Sequence, residues 1–209
     1  DLDHEVHVYA VVGPQQIARE IGQDDRPLPA GCDAVFGTLA GLRRVDMHFV
    51  VKVGGAVVED ATALSRLLTD FSAIPGRKIL VHGGGRRATK VAEALGIETT
   101  MVGGRRITDA AMLEVVTMVY GGLVNKNIVA GLQAIGVNAI GLTGADANII
   151  RAHKRPVKDG VDYGFVGDVD AADGQMIARL VESGVTPVVA PLTHDGQGHI
   201  LNTLSLIHI

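Results

Sequence analysis

The residues of this chain best suited to chemistry are one lysine, two glycine clusters, one arginine and one asparagine. Lys52 stands inside Phe49-Val50-Val51-Lys52-Val53-Gly54-Gly55, and Lys78-Ile79-Leu80-Val81-His82-Gly83-Gly84-Gly85 is an apolar run that stops at three glycines before helix-forming sequence. A strand that delivers bare backbone to the head of a helix presents unpaired N–H groups and the positive end of the helix dipole, and both attract phosphates and carboxylates. Lys52 admits two readings. Its ammonium either snorkels outward from an edge position, or emerges at the carboxyl end of its strand beside Gly54 and Gly55, where open α/β sheets bind ligands. Arg106, in Gly103-Gly104-Arg105-Arg106-Ile107-Thr108-Asp109, offers a carboxylate a planar fork that a lysine does not match. The alternative for the adjacent arginines is a hydrated surface turn. Asn202 suits an amide partner.

One cation, many N–H donors and an arginine fork describe a site for a cluster of anions. Gly83, Gly85 and Ala88 also fit the G-x-G-x-x-A spacing of dinucleotide sites. Such a site wants an acid about 20 positions on, at the end of the next strand, and Glu98 lies too early. No G-x-x-x-x-G-K-[ST] occurs. The eight histidines are scattered without ligand spacing, so no metal site is expected; His82 reads as a structural residue beside the site, and Asp146 and Asp168 as turn residues.

These residues need a scaffold, and the pattern supplies one. A short β-branched strand precedes Gly54-Gly55, and Leu64, Leu67, Leu68 and Phe71 recur at helical spacing over 59–71. The strand ending at Gly83 leads to a helix over 86–95 closed by Gly96. A strand over 98–102, the glycine turn, a helix capped by Thr108 or Asp109, and a second helix over 123–135 after Tyr120-Gly121-Gly122 follow. Next come a strand over 137–144, a hairpin of 149–157 and 161–169 around Lys158-Asp159-Gly160, a helix over 172–182, a strand over 185–192 and an extended stretch over 199–203. Strands alternating with helices, glycines at their carboxyl ends, predict α/β architecture: a three-layer αβα sandwich around a mainly parallel sheet. Residues 1–46 read as a leader outside the fold, although 6–12 has the composition of a strand; Met47 resembles a natural start.

Composition narrows the function classes. The 209 residues are 47% hydrophobic, with formal net charge -4, 27 Gly and no Trp. A mildly acidic chain poor in aromatic platforms is not built for nucleic acid. The single cysteine, Cys32, excludes an internal disulfide framework and fits a reducing, cytoplasmic setting. No apolar run approaches the roughly 18 to 20 residues of a membrane span.

Residues 47–203 resemble the N-acetyl-L-glutamate kinases of the amino acid kinase family through six motifs. These are Lys52-Val53-Gly54-Gly55, Val81-His82-Gly83-Gly84-Gly85, Gly104-Arg105-Arg106-Ile107-Thr108-Asp109, Val124-Asn125-Lys126, Gly141-Leu142-Thr143-Gly144-Ala145-Asp146 and Gly198-His199-Ile200-Leu201-Asn202-Thr203. The wording around Tyr163-Gly164-Phe165-Val166-Gly167-Asp168 looks most like the bacterial ones. The resemblance implies transfer of the ATP γ-phosphoryl group, with Mg2+, to the γ-carboxylate of N-acetyl- or N-succinyl-L-glutamate in arginine biosynthesis, by a cytoplasmic homo-oligomer. It implies Lys52 as the catalytic lysine, Gly54, Gly55 and Gly83 at the phosphates, and Gly84, Gly85, Arg106 and Asn202 at the acyl-glutamate. Such an acceptor is ionised at pH 7 and needs no general base. Where the family continues Asn-Ala-Asp after this asparagine and threonine, the chain reads Leu204-Ser205-Leu206. The expectation is therefore an acyl-glutamate lobe over 47–203, a foreign tail over 204–209, a nucleotide half beyond the end, and weak or absent kinase activity in the chain by itself. A noncatalytic amino-acid-binding module, or a kinase for another carboxylate such as aspartate, is the competing expectation.

Overall fold

A computed structural model describes residues 6–12, 19–20 and 47–203. Strands β1 (Val6–Val12) and β2 (Arg19–Glu20) precede β3 (Met47–Val53), which leads through helix α1 (Gly55–Glu59) into α2 (Ala61–Ala73). The helix expected over 59–71 is α2, which begins after Asp60, whose carboxylate caps it by accepting from Thr62 and Ala63 N–H; α1 is a further short helix, ending where the expected range begins. β4 (Arg77–His82) and α3 (Gly85–Ala94) complete the glycine-run unit. β5 (Met101–Val102) and β6 (Arg105–Arg106) form a hairpin, with Gly103 and Gly104 both at positive φ in its two-residue turn.

The helix that follows departs from expectation. α4 (Ala110–Val116), capped by Asp109, runs without a break through a π-helical stretch (Thr117–Val124) into α5 (Asn125–Ala134). Gly121 and Gly122 widen the helix instead of ending it, because Val119, Tyr120 and Val124 on either side are held in the core. Read as one, Ala110–Ala134 is long and apolar enough by composition to cross a bilayer, which corrects the expectation that no such run exists. Its stripe of Met112, Val115, Val116, Ile128 and Leu132 is buried against the sheet.

β7 (Ala139–Leu142), a 3₁₀ turn (Asp146–Asn148), β8 (Ile150–Lys154) and β9 (Gly167–Ala172) come next, then α6 (Gly174–Glu182), β10 (Thr186–Val189), β11 (Leu192–His194) and β12 (Ile200–Asn202). Six strands in the order β2-β1-β3-β4-β10-β7 make the main sheet. Its β3-β4-β10-β7 block is parallel, and β1 adds antiparallel to β3 over seven residues. The strand expected over 6–12 is therefore present, and it lies on the sheet, not apart from it. The rest of the expected leader, apart from β2, falls outside the described residues, as does the expected foreign tail.

A second sheet, β12-β11-β8-β9, pairs β8 with β9 antiparallel. The first strand lies within the expected 149–157, but the second is Gly167–Ala172 and not 161–169, so that 155–166 form a long connection with the Lys158-Asp159-Gly160 turn inside it. Two apolar clusters flank the main sheet. Val51, Val53, Leu80 and Val188 face the long helix, while Val81 and Val189 face the side that Met176 and Ile177 of α6 cover. Helices on both faces of a mainly parallel sheet give the expected three layers.

Candidate active site

The site residues meet because β3 and β4 end together. Lys52 pairs with Val81 and Val53 with His82 in parallel register, so Gly54-Gly55 and Gly83-Gly84-Gly85 leave the sheet side by side. A β-carbon on Gly83 would lie 3.1 Å from the Gly55 nitrogen; the glycines allow the two turns to touch. Strand alternation puts the Lys52 side chain on the sheet face opposite Val51 and Val53.

Gly83 does not serve as an amide donor of the kind expected, because its N–H already donates to the Val53 carbonyl at 2.9 Å. The donors lie one step further on. Gly84 is the N-cap residue of α3 and brings no side-chain cap, so the first N–H groups of that helix lack intrahelical acceptors. The first turn carries no acid but does carry Arg86 and Arg87, the reverse of what a helix dipole favours by itself. The helix dipole and the Gly84 N–H, which meets no acceptor among the described residues, together make an anion-seeking end.

Arg106 is buried, 5% exposed, against this helix. Its Nη2 donates to the Gly85 carbonyl at 2.9 Å and to Thr89 Oγ1 at 2.8 Å, and its Nη1 reaches Thr99 Oγ1 at 3.5 Å. The hydrated-turn alternative is thus set aside for Arg106, whereas Arg105 is exposed. Gly84 packs under Tyr120: a β-carbon there would come 3.0 and 3.2 Å from two carbons of the ring.

Asn202 is fully buried. Its Nδ2 donates to Thr108 Oγ1 at 3.0 Å, while Oδ1 has no hydrogen-bond partner among the described residues. Thr108 is clamped to the hairpin loop: its N–H donates to the Tyr163 carbonyl at 3.0 Å and its carbonyl accepts from Phe165 N–H at 2.7 Å. These bonds join the Arg106 segment, the hairpin and β12 into one wall. Asp146 accepts from Thr143 N–H at 2.6 Å and its hydroxyl at 2.9 Å, as a turn residue does. Asp168 pairs in fork fashion with Arg155, Nη2 to Oδ1 at 2.6 Å and Nε to Oδ2 at 3.1 Å.

Beneath the glycines lies a polar cluster. His82 is 2% exposed, and burial, with the Lys126 charge adding to it against the Gly83 bond, lowers its pKa to about 4. Nδ1 is 2.8 Å from the Gly83 carbonyl and Nε2 is 3.1 Å from Asn125 Nδ2. Asn125 also donates to the Val188 carbonyl at 2.9 Å and accepts from Lys126 Nζ at 3.1 Å. In the sequence, Asn125-Lys126 stands out only as part of the Val124-Asn125-Lys126 motif. Its signal was a polar pair set into an apolar helical stripe. Tyr120 and Thr89 carried no comparable signal, and Thr108 stood out only as a candidate cap and within its motif.

A model of the amino acid kinase family matches residues 47–206. The chain is 70% identical over 154 residues to an acetylglutamate kinase of Bacteroides thetaiotaomicron, covering 74% of this chain and 60% of the relative. It is 59% identical over 155 residues to an acetylglutamate kinase of Cytophaga hutchinsonii, covering 74% and 59%. The chain therefore spans about 60% of the length of the curated relatives it matches. Among solved structures, smu.665 from Streptococcus mutans aligns with TM-score 0.62 at 26% identity, over 74% of this chain and 62% of that one. N-acetylglutamate synthase from Neisseria gonorrhoeae, complexed with coenzyme A and N-acetyl-glutamate, aligns with TM-score 0.62 at 24% identity, over 73% and 35%, a likeness of fold.

Proposed function

The chain belongs to the amino acid kinase family, and on that premise we propose that it binds an N-acyl-L-glutamate at the head of α3 for transfer of the ATP γ-phosphoryl group to the γ-carboxylate. The observation that carries this reading is the start of α3, uncapped and without an acid in its first turn. Arg106 is pinned to Gly85 there, and Asn202, bonded to Thr108 two residues beyond Arg106, keeps a buried oxygen that has no hydrogen-bond partner among the described residues. An acyl-glutamate supplies what that arrangement lacks, namely carboxylates for the helix head and an amide N–H for Asn202 Oδ1. The relatives named acetylglutamate kinase support the same substrate class and a place in arginine biosynthesis.

The chemistry asks little of the protein beyond position and charge. The γ-carboxylate is already ionised at pH 7, so no side chain has to remove a proton. Transfer requires in-line approach and cationic stabilisation of oxygens over which charge spreads. In this proposal the Lys52 ammonium, leaving β3 one residue before its end, provides that charge. Gly54 and Gly55 give the phosphates close approach to backbone, with Gly83 as a surface without a β-carbon. Gly84 and Gly85 hold the acceptor. Mg2+ keeps several of its waters and is held chiefly by nucleotide phosphates with one or two carboxylates, so in this reading the ion would arrive with the ATP. The lobe over 47–203, the ATP partnership, cytoplasmic location and homo-oligomeric assembly belong to the same proposal. Met118 and Leu123, exposed on the long helix, are apolar surface that an assembly would cover.

Calorimetric titration of the chain with N-acetyl-L-glutamate, N-succinyl-L-glutamate, aspartate and NAD tests the reading. Saturable binding of an acyl-glutamate, with aspartate and NAD inert, is expected. NAD binding without acyl-glutamate binding overturns the proposal, and aspartate binding in place of acyl-glutamate reassigns the acceptor.

A further inference from the structure

The bonds beneath the glycine run have only one consistent direction. The Val188 carbonyl can only accept, so the Asn125 atom 2.9 Å from it is the NH2 group. That same NH2 group faces His82 Nε2 at 3.1 Å, so Nε2 bears the lone pair and, in the neutral ring, Nδ1 bears the hydrogen. The Gly83 carbonyl, 2.8 Å from Nδ1, requires the same tautomer from the opposite end. Lys126 fixes the remaining atom: its Nζ donates to Asn125 Oδ1 at 3.1 Å and to the Gly141 carbonyl at 3.0 Å. A β-carbon at Gly141 would overlap Asn125 Oδ1, so even the strand beneath is shaped to hold this amide.

The end of this chain of bonds is the Gly83–Gly84 peptide. In a trans peptide the C=O and the following N–H point in opposite directions. A ring that holds the Gly83 carbonyl on the core side therefore aims the Gly84 N–H away from the core, to the side where β3 and β4 end. That N–H meets no acceptor among the described residues, and Gly84 is the N-cap residue of α3. We propose that His82, Asn125 and Lys126 act as positioning residues, their directed hydrogen bonds setting the Gly83–Gly84 peptide so that the Gly84 N–H is aimed at the bound anion. The ligand's identity rests on the acyl-glutamate reading; the direction of the peptide does not.

The test uses the chain as it is, in three forms: unaltered, Asn125→Leu, and Lys126→Met, the last at an exposed position that does not risk the fold. Imidazole 15N shifts at neutral pH are expected to show the hydrogen on Nδ1 of His82. The Gly84 amide resonance is expected to move on addition of N-acetyl-L-glutamate to the unaltered chain. In Asn125→Leu it is displaced before any ligand is added, and the Kd for N-acetyl-L-glutamate rises at least tenfold while circular dichroism stays that of a folded protein; Lys126→Met shows a smaller shift in the same sense. A purely structural role would lower the urea midpoint but leave Kd and the Gly84 resonance unchanged, and that result overturns the proposal, as does a ring protonated on Nε2. If N-acetyl-L-glutamate moves no amide of the unaltered chain, the substrate reading falls alone, because the tautomer and the ligand-free Gly84 displacement still decide the positioning.

Discussion

The Arg106 guanidinium donates from Nη2 to the Gly85 carbonyl at 2.9 Å, joining the β5–β6 hairpin to the first turn of the helix that the glycine run opens. An arginine expected to grip a ligand is thus a strut for the first turn of that helix. The charge it brings sits behind the helix head, and its Nη2 is shared between a backbone oxygen and Thr89.

Arg106→Lys tests that double role. A single ammonium cannot span Gly85, Thr89 and Thr99 as the planar fork does. Binding of N-acetyl-L-glutamate should weaken about tenfold or more, and stability should fall by roughly 1 to 3 kcal/mol as buried acceptors lose their donor. Calorimetry and urea unfolding read the two effects, and an unchanged Kd would remove Arg106 from the site.

Gly84→Ala places a methyl 3.0 Å from the Tyr120 ring. Overpacking of this kind costs about 1 to 3 kcal/mol and tilts the head of α3. Tyr120→Leu costs stability of its own because Tyr120 is buried, but in that background Gly84→Ala should cost less than in the unaltered chain. An equal cost of Gly84→Ala in the two backgrounds would mean that the clash lies elsewhere.

Asn202→Leu separates binding from folding. The substitution deletes a buried oxygen that has no partner among the described residues and one hydrogen bond to Thr108, so the two effects on stability oppose each other, and a net change within about 1 kcal/mol is expected. Acyl-glutamate binding should drop at least tenfold. Loss of stability without loss of binding would make Asn202 a wall residue only.

His82 makes a pH prediction. Its pKa is lowered from 6.5 to about 4 in the folded protein, burial being the largest cause. Between those two values the unfolded chain binds the extra proton and the folded chain does not, so stability is undiminished above pH 6.5 and falls as pH drops toward 4. The loss is on the order of 3 kcal/mol across that window. Urea midpoints measured from pH 7.5 to 4 should show the slope, and His82→Phe should flatten it. A slope that survives in His82→Phe would assign the effect to other groups.

Most of the scaffold was legible in the sequence, for a local reason. β-branched runs ending in glycine, amphipathic helical spacing and Asp109 as a cap are each decided within a few residues, and the alternation of strand and helix then leaves little choice of layers. Reading a break at Gly121-Gly122 failed because glycine weakens a helix only by about 1 kcal/mol, which the buried neighbours Val119, Tyr120 and Val124 outweigh.

By itself the sequence determined which residue types stand where strands end: Lys52, the two glycine clusters, Arg106 and Asn202, and with them the chemistry of anion binding. Only the tertiary structure decided how they divide the work. Register between β3 and β4 occupies the Gly83 N–H and leaves that of Gly84. Contacts 21 and 43 residues apart in sequence, Arg106 to Gly85 and Asn125 to His82, fix which hydrogens face inward and which are left without an acceptor among the described residues. Local sequence sets what a residue can donate, but the direction of a hydrogen bond depends on an acceptor brought in from elsewhere in the chain.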